Sequence, residues 1–111
     1  MGLFSAFRLP SVDGYEAIRM VGDGAALLDV REKNEWNAGH APSAIHIPLG
    51  RIAEAGKRLA NKPTVVVVCR SGNRSQQGRD ILLSAGYEQV TSMTGGVTQW
   101  RDKGYPTETG S

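Results

Sequence analysis

TVVVVCRSGNRS, residues 64–75, joins four consecutive valines to a loop of small, polar and basic residues. A run of valines without a polar partner is typical of a strand buried on both faces, as in a parallel sheet covered by helices. Residues 64–68 are therefore predicted to form the central strand. Ligands in open α/β sheets bind outside the carboxyl ends of the strands, so the loop that begins at Cys69 is the first candidate for a functional site.

The flanking sequence alternates short apolar runs with helix-like segments, which predicts an α/β fold with a mostly parallel central sheet. The further predicted strands cover residues 25–30, 45–47 and 89–93. The predicted outer helices run from a cap at Ser11 or Asp13 to about Met20, over residues 31–37, and over residues 97–103.

Two more segments place small and apolar residues at helical spacing on either side of the central strand. In the first segment, one face of an amphipathic helix would carry Leu49, Ile52, Ala53, Gly56 and Ala60. In the second segment, the corresponding positions are Ser75, Gly78, Leu82 and Ala85. The small residues of the second segment would let that helix lie close against the sheet.

Length and charge restrict the domain organisation and the possible partners. The chain has 111 residues, and one domain is predicted over residues 1–111 with its core at about 11–107. Thirteen basic and eleven acidic residues alternate along the chain, so a nucleic-acid partner is not expected. Residues 1–10 lack a signal-peptide core and no run of eighteen apolar residues occurs, so we expect a cytoplasmic protein without membrane contact. A monomer or weak homodimer is expected, although no sequence feature fixes the oligomeric state.

The residues that follow Cys69 decide between an inert and a reactive cysteine. The chain has no second cysteine for an intramolecular disulfide, and its two histidines do not complete a structural zinc site, so no metal is predicted. An inert core thiol has no need of the six residues that come next, which are Arg70, Ser71, Gly72, Asn73, Arg74 and Ser75. Cys69 is therefore predicted to be the centre of a functional site.

The same loop has the features of a thiolate-binding concavity. Small and polar residues before a helix can turn successive backbone N–H groups inward, and the positive end of the helix dipole adds to their effect. Arg70 and Arg74 supply cations, which lower the pKa of a nearby cysteine. Gly72 has no Cβ to crowd a curled loop or to disfavour a positive φ. Cys69 is thus predicted to act as a nucleophile.

Four segments, taken in order, carry the motifs of one known family. They are LLDVRE (27–32), AGHAPSAIHIPL (38–49), CRSGNRS (69–75) and MTGGVTQWRDKGYP (93–106). They resemble, respectively, the Asp-x-Arg signature, the Gly-His-Ile-Pro-Gly-Ala-x-x-Ile-Pro stretch, the active-site loop and the Gly-Gly-x-x-x-Trp segment of the rhodanese family. The sequence departs from the second motif at three positions outside the loop, which are Ala41, Ser43 and His46.

This resemblance implies a rhodanese-like three-layer fold, with helices on both faces of the sheet, and sulfurtransferase activity. Cys69 would take sulfur from a small anionic donor, thiosulfate or a persulfide, and pass it to a thiol or cyanide without a cofactor or metal. The implied substrate-binding residues are Arg70, Ser71, Gly72, Asn73, Arg74 and Ser75. Arg74 would either bind the substrate or brace the loop.

The remaining motif residues are assigned structural roles. Asp29 and Arg31 are expected to form a hydrogen-bonded pair, and His40 is expected to lie at a turn. Trp36 and Trp100 are expected to pack in the core, whereas Glu32 and Glu35 are expected to be solvated carboxylates on a helix.

Two alternative functions stay open, a non-catalytic sulfur-carrier or binding module and a rhodanese-like cysteine phosphatase or arsenate reductase. Four residues separate Cys69 from Arg74, whereas five separate the two in the phosphatases and arsenate reductases that resemble rhodaneses. The shorter loop is expected to be too small for a phosphoryl group.

Overall fold

The computed structural model describes residues 10–59 and 62–110. The strands in these residues are β1 (Ser11–Val12), β2 (Ala26–Asp29), β3 (Ile45–His46), β4 (Thr64–Val68) and β5 (Gln89–Met93). They form one sheet in the order β1-β5-β4-β2-β3, and every pairing is parallel. The helices are α1 (Gly14–Gly22), α2 (Lys33–Ala38), α3 (Ala55–Arg58), α4 (Asn73–Ser84) and α5 (Gly96–Asp102), and a 3₁₀ helix (Leu49–Glu54) precedes α3. Within the described ranges no helix combines the length and apolar character needed to cross a membrane.

The central position of β4 confirms the prediction from the valine run. β4 lies between β2 and β5, and all five of its residues are buried. Val66 and Val68 belong to a core cluster with α1 and α5, whereas Val65 and Val67 pack with the 3₁₀ helix, α3 and α4. The alternating valines therefore hold helices on both faces, and the fold has the three layers that were expected.

The first helix begins where its capping residue predicts. The Asp13 side chain accepts a hydrogen bond from the Glu16 N–H at 2.8 Å, and α1 continues to Gly22, two residues beyond the predicted end. Before it, Ser11–Val12 forms the short edge strand β1 beside β5, which was not predicted. A segment of two residues is too short to show the alternating pattern of a strand in the sequence. It is identified as a strand only by its pairing with β5.

The helical face predicted from Leu49 onward is wrong. The segment is a 3₁₀ helix with a non-helical residue at Arg51, followed by one turn of α-helix. Because a 3₁₀ helix has three residues per turn, Ala55 follows Ile52 onto the core side, and the predicted Ala53 and Gly56 are exposed. The buried residues are Ile52, Ala55 and Leu59, and the predicted Ala60 lies outside the described residues.

Helix α4 packs closely on the sheet, as its small residues predict. Ser75, Gly78 and Leu82 are buried, whereas Ala85 follows the helix and is exposed. A Cβ at Gly78 would lie only 3.1 Å from Val67 Cγ1. The absence of a side chain at this position therefore sets how near α4 can approach β4.

Helix α5 contacts the loop after β4 through its first backbone N–H groups. Val97 N–H donates to the Cys69 carbonyl at 2.9 Å, and Thr98 N–H donates to the Arg70 carbonyl at 3.1 Å. Gly96 has a φ of +57°, and a Cβ there would overlap both of these carbonyl oxygens. The Gly-Gly pair before the helix therefore permits close contact between α5 and the loop.

We expect Gly96→Ala to destabilise the protein more than Gly104→Ala does. Both glycines have positive φ, +57° and +77°, so an alanine at either position costs about 1 kcal/mol through its backbone conformation. Only at Gly96 does the new methyl group overlap backbone, since nothing lies within 4 Å of a Cβ at Gly104. Urea denaturation should show a further loss of about 1–3 kcal/mol for Gly96→Ala. Equal losses in the two variants would contradict this account.

Candidate active site

Cys69 lies at the carboxyl end of β4, on the face that packs against α4. The residue is 1% exposed, and its Sγ accepts a hydrogen bond from the Gly72 N–H at 3.0 Å. Gly72 has a φ of +124°, the positive value that the sequence suggested. A side chain at this position would not be crowded, because the only heavy atom within 4 Å of a Cβ would be Gly95 N, at 3.9 Å. Backbone conformation is what requires Gly72.

The loop supplies enough donors to favour the thiolate. Burial raises the pKa of the Cys69 thiol, but the hydrogen bonds that its Sγ forms with the Ser75 hydroxyl and with the N–H groups of Ser75, Gly72 and Ser71 outweigh burial. The pKa of Cys69 therefore lies below its ordinary value. Hydrogen-bond donors around the sulfur favour the thiolate form of a cysteine.

One peptide group connects the thiolate donors to α5. The peptide between Arg70 and Ser71 is trans, so its N–H and C=O point in opposite directions. The Ser71 N–H faces the sulfur while the Arg70 carbonyl accepts from Thr98 N–H on the other side. By holding that carbonyl, α5 keeps the Ser71 N–H directed at Cys69.

A buried pair of hydroxyl groups lies behind the sulfur. Ser75 Oγ donates to the Gly72 carbonyl at 2.9 Å, lies 3.6 Å from Cys69 Sγ, and lies 2.7 Å from Ser92 Oγ. Ser75 and Ser92 are 0% and 1% exposed. Sequence analysis did not identify Ser92, and the only signal is a hydroxyl residue in a buried strand. Its position in β5 places it beneath the loop.

Arg74 is held by a carboxylate from another helix. Its Nη1 and Nη2 donate to Glu35 Oε1 and Oε2 at 2.6 and 2.8 Å. These hydrogen bonds, opposed in part by burial, lower the pKa of Glu35 to about 2 and raise the pKa of Arg74. The prediction that Glu35 is a solvated helix carboxylate is therefore wrong. The two residues are 39 positions apart, so local sequence could not reveal the pairing.

The position of Glu35 depends on the buried Asp29–Arg31 pair. Arg31 Nε and Nη2 donate to the Asp29 carboxylate at 3.0 and 2.8 Å. The same guanidinium donates to the carbonyls of Glu35 and Gly39 at 3.2 and 2.7 Å. The structural role predicted for this pair is confirmed, because Arg31 holds one carbonyl within α2 and one just after it beside the carboxyl end of β2.

The other motif residues that were assigned structural roles also pack as expected. Trp36 and His40 stack with ring centroids 3.5 Å apart, and His40 Nδ1 lies 2.8 Å from the Trp36 carbonyl oxygen. Trp100 is buried and donates to the Pro106 carbonyl at 2.7 Å. Glu32 is exposed at the start of α2. None of these contacts directs a side chain at Cys69.

The remaining loop residues are exposed. Ser71 contributes its N–H group, and Asn73 begins α4 without a contact to the sulfur. Arg70 forms no ion pair with any described residue. It lines a cleft of about 430 Å³ together with residues of α5, Arg101 among them. The structure thus brings together Cys69, the loop N–H groups and Ser75, and directs Arg74 and Arg70 to different neighbours.

Comparison with known proteins assigns the family. The family model for the rhodanese-like domain matches residues 14–103. The thiosulfate sulfurtransferase GlpE of Pseudomonas savastanoi pv. phaseolicola is 39% identical over 87 residues, which cover 78% of this chain and 80% of that protein. The putative sulfur carrier protein YrkF of Bacillus subtilis is 31% identical over 77 residues, or 69% of this chain, but these residues span only 42% of that protein.

The fold agrees with this assignment. The crystal structure of a rhodanese-related protein from Thermoplasma volcanium aligns with a TM-score of 0.78 at 29% identity, covering 90% of this chain and 98% of that one. The predicted three-layer α/β fold is therefore confirmed. The chain belongs to the rhodanese-like domain family.

Proposed function

We propose that the protein transfers sulfane sulfur through a persulfide on Cys69, with thiosulfate or a persulfide as donor and a thiol or cyanide as acceptor. The observation that carries the proposal is the buried Cys69 Sγ, which the N–H groups of the loop at the end of β4 surround as donors. Relatives named thiosulfate sulfurtransferase and sulfur carrier support sulfur transfer as the class of chemistry.

In the first half-reaction, the Cys69 thiolate attacks the outer sulfur of thiosulfate. A bond forms between Cys69 Sγ and that sulfur, the original S–S bond breaks, and sulfite leaves with the electron pair. The negative charge moves from Sγ to the terminal sulfur of the persulfide. The N–H groups of Ser71 and Gly72 donate to Sγ in the free protein, and in this proposal the same donors stabilise the charge on the terminal sulfur.

In the second half-reaction, the acceptor attacks the terminal sulfur and Cys69 Sγ leaves as a thiolate. A thiol of lower pKa is the better leaving group in such exchanges. The same hydrogen bonds that lower the pKa of Cys69 therefore assist its departure. No cofactor is required for either step.

We expect thiosulfate to make the purified protein heavier by one sulfur atom and cyanide to reverse the gain. Intact-mass analysis before and after each addition measures both steps. Cys69→Ser should abolish the mass change and the production of thiocyanate, because the chain has no other thiol to hold sulfur. A mass gain or thiocyanate production that persists in Cys69→Ser would disprove the proposal.

The two arginines of the loop have different proposed roles. Arg70 is exposed and unpaired among the described residues, so it is available to attract an anionic donor. The two terminal nitrogens of the Arg74 guanidinium already donate hydrogen bonds to the two carboxylate oxygens of Glu35. Arg74 is thus proposed to brace the loop against α2, the second of the two roles suggested by the sequence.

We expect the stabilising effect of Glu35 to disappear in acid. Its pKa is about 4.5 when unpaired and about 2 in the folded protein, so the ion pair contributes fully above pH 4.5 and is lost as the pH falls toward 2. For a partly exposed pair the contribution is about 1–3 kcal/mol. Urea denaturation of wild type and Glu35→Gln should give this difference at neutral pH and about half of it near pH 3.

The exposed pair of Arg51 and Glu54 supplies a matched control for this measurement. Glu54 lies on the surface with a side chain 56% exposed, so Glu54→Gln should change the stability much less at neutral pH. A stability difference between wild type and Glu35→Gln that does not vary with pH would refute the bracing role.

The phosphatase alternative is disfavoured by the position of Arg74. A phosphatase needs the arginine at the end of its loop to clamp the phosphoryl oxygens. Here that guanidinium binds Glu35, and the loop has only four residues between Cys69 and Arg74. A disulfide-based arsenate reductase would require a resolving thiol, which the sequence lacks. Modules without catalysis in this family typically lack the cysteine that is present here.

We expect no appreciable Cys69-dependent hydrolysis of an activated aryl phosphate by a preparation that is active with thiosulfate and cyanide. One residue inserted between Gly72 and Arg74 should enlarge the loop and reduce sulfur transfer, because a misfit of about 1 Å can cost a hundredfold in rate. An insertion after the exposed Gly86 is the control and should leave both activities unchanged. Phosphatase activity without sulfur transfer in the unmodified protein would overturn the proposed function.

A further inference from the structure

The geometry points to the cleft between Arg70 and Arg101 as a binding site for carboxylate groups of the sulfur acceptor. The preferred acceptors would then be small thiols that carry two carboxylates. This inference rests on the proposed function, since it assigns the partner of the second half-reaction. We call this space the acceptor cleft, and it is lined by Arg31, Glu35, Arg70, Thr98, Arg101 and Asp102, among others.

The acceptor cleft begins at the loop that holds Cys69. Arg70 belongs to both, and its Cα lies about 3.8 Å from that of Cys69. Val97, whose N–H binds the Cys69 carbonyl, is four residues before Arg101 in α5, so the two side chains lie on the same face about 5–6 Å apart. The cleft therefore extends one helical turn from the loop. That length suits a thiol whose carboxylates lie a few bonds from its sulfur.

The charges in the acceptor cleft leave a positive excess. Arg31 is paired with Asp29, and Glu35 is paired with Arg74, so these two lining residues have their charges satisfied. Arg70, Arg101 and Asp102 form no ion pair with a described residue. Two unpaired cations against one unpaired anion favour a ligand with more negative than positive charge.

Arg101 is held in place for such a role. Its Nη2 donates to the Ala38 carbonyl at 3.3 Å, and its guanidinium occupies the space that a Cβ of Gly39 would need. Gly39 therefore lets Arg101 lie across the backbone at the end of α2. A cation positioned in advance loses less conformational entropy when a ligand binds.

The size of the acceptor cleft favours an acceptor over thiosulfate. Its volume of about 430 Å³ is in the range of small-molecule sites and exceeds what a small inorganic anion fills. The thiolate of the acceptor attacks the terminal sulfur of the persulfide, forming a new S–S bond. The bond to Cys69 Sγ breaks, its electron pair remains on Sγ, and the product leaves as the acceptor's own persulfide.

The test starts from protein that carries the persulfide independently of thiosulfate. Cys69 reacts with 2,2′-dithiodipyridine to form a mixed disulfide, releasing one 2-thiopyridine. Hydrosulfide then attacks Cys69 Sγ and displaces the second 2-thiopyridine, which leaves the persulfide. Loss of the extra sulfur is followed by intact mass with mercaptosuccinate, which has two carboxylates, and with uncharged 2-mercaptoethanol. The ratio of the two rate constants is compared among variants, so that differences in thiol reactivity cancel.

We expect Arg101→Gln to lower this ratio about three- to tenfold at low salt, and Asp102→Asn to raise it. Lys103→Gln removes the same charge from the adjacent exposed residue outside the acceptor cleft and should leave the ratio unchanged. The effect of Arg101→Gln should shrink in high salt, because exposed charges are screened.

An unchanged ratio in Arg101→Gln, or an equal fall in Lys103→Gln, would overturn the assignment of the acceptor cleft. Failure of the proposed function is seen separately, as wild-type protein that gains no sulfur from thiosulfate. Because the persulfide on Cys69 is formed here by chemical reagents, the acceptor cleft can be tested whether or not the protein accepts sulfur from thiosulfate.

Discussion

A thiolate buried at the end of an apolar strand is stable only if hydrogen-bond donors surround it, and the rest of the site follows from this requirement. Cys69 is 1% exposed, and the donors come from the backbone of its own loop. Turning those N–H groups inward requires a positive φ at Gly72 and sends the opposite carbonyls outward. The carbonyl opposite the Ser71 N–H, that of Arg70, accepts a hydrogen bond from Thr98 of α5.

Distant elements thus contribute to the surroundings of one sulfur atom. Helix α5 fixes one side of the loop through its first N–H groups, and Gly96 permits the contact. On the other side, the buried Asp29–Arg31 pair positions α2, whose Glu35 holds Arg74. The loop is supported from both directions, so its donors are arranged before any substrate arrives.

The two arginines of the loop differ in their structural surroundings. Arg74 faces α2 and is neutralised by Glu35, whereas Arg70 faces solvent and the acceptor cleft. A cation that is already paired can brace the loop without competing for substrate. The unpaired Arg70 lines the acceptor cleft together with Arg101, and it is the cation that we propose attracts anions.

The sequence by itself determined the parts that depend on local pattern: the buried β4, the loop with its cysteine and glycine, and the close packing of α4 through Gly78. Local pattern did not predict which residues after Leu49 face the core. The spacing of the apolar residues does not show that this segment is a 3₁₀ helix instead of an α-helix. Only the tertiary structure decided that Glu35 pairs with Arg74, that Ser92 lies beneath Ser75, and that α5 holds the loop carbonyls. These contacts join residues far apart in the chain, and the parallel order of the strands, not any motif, brings them together.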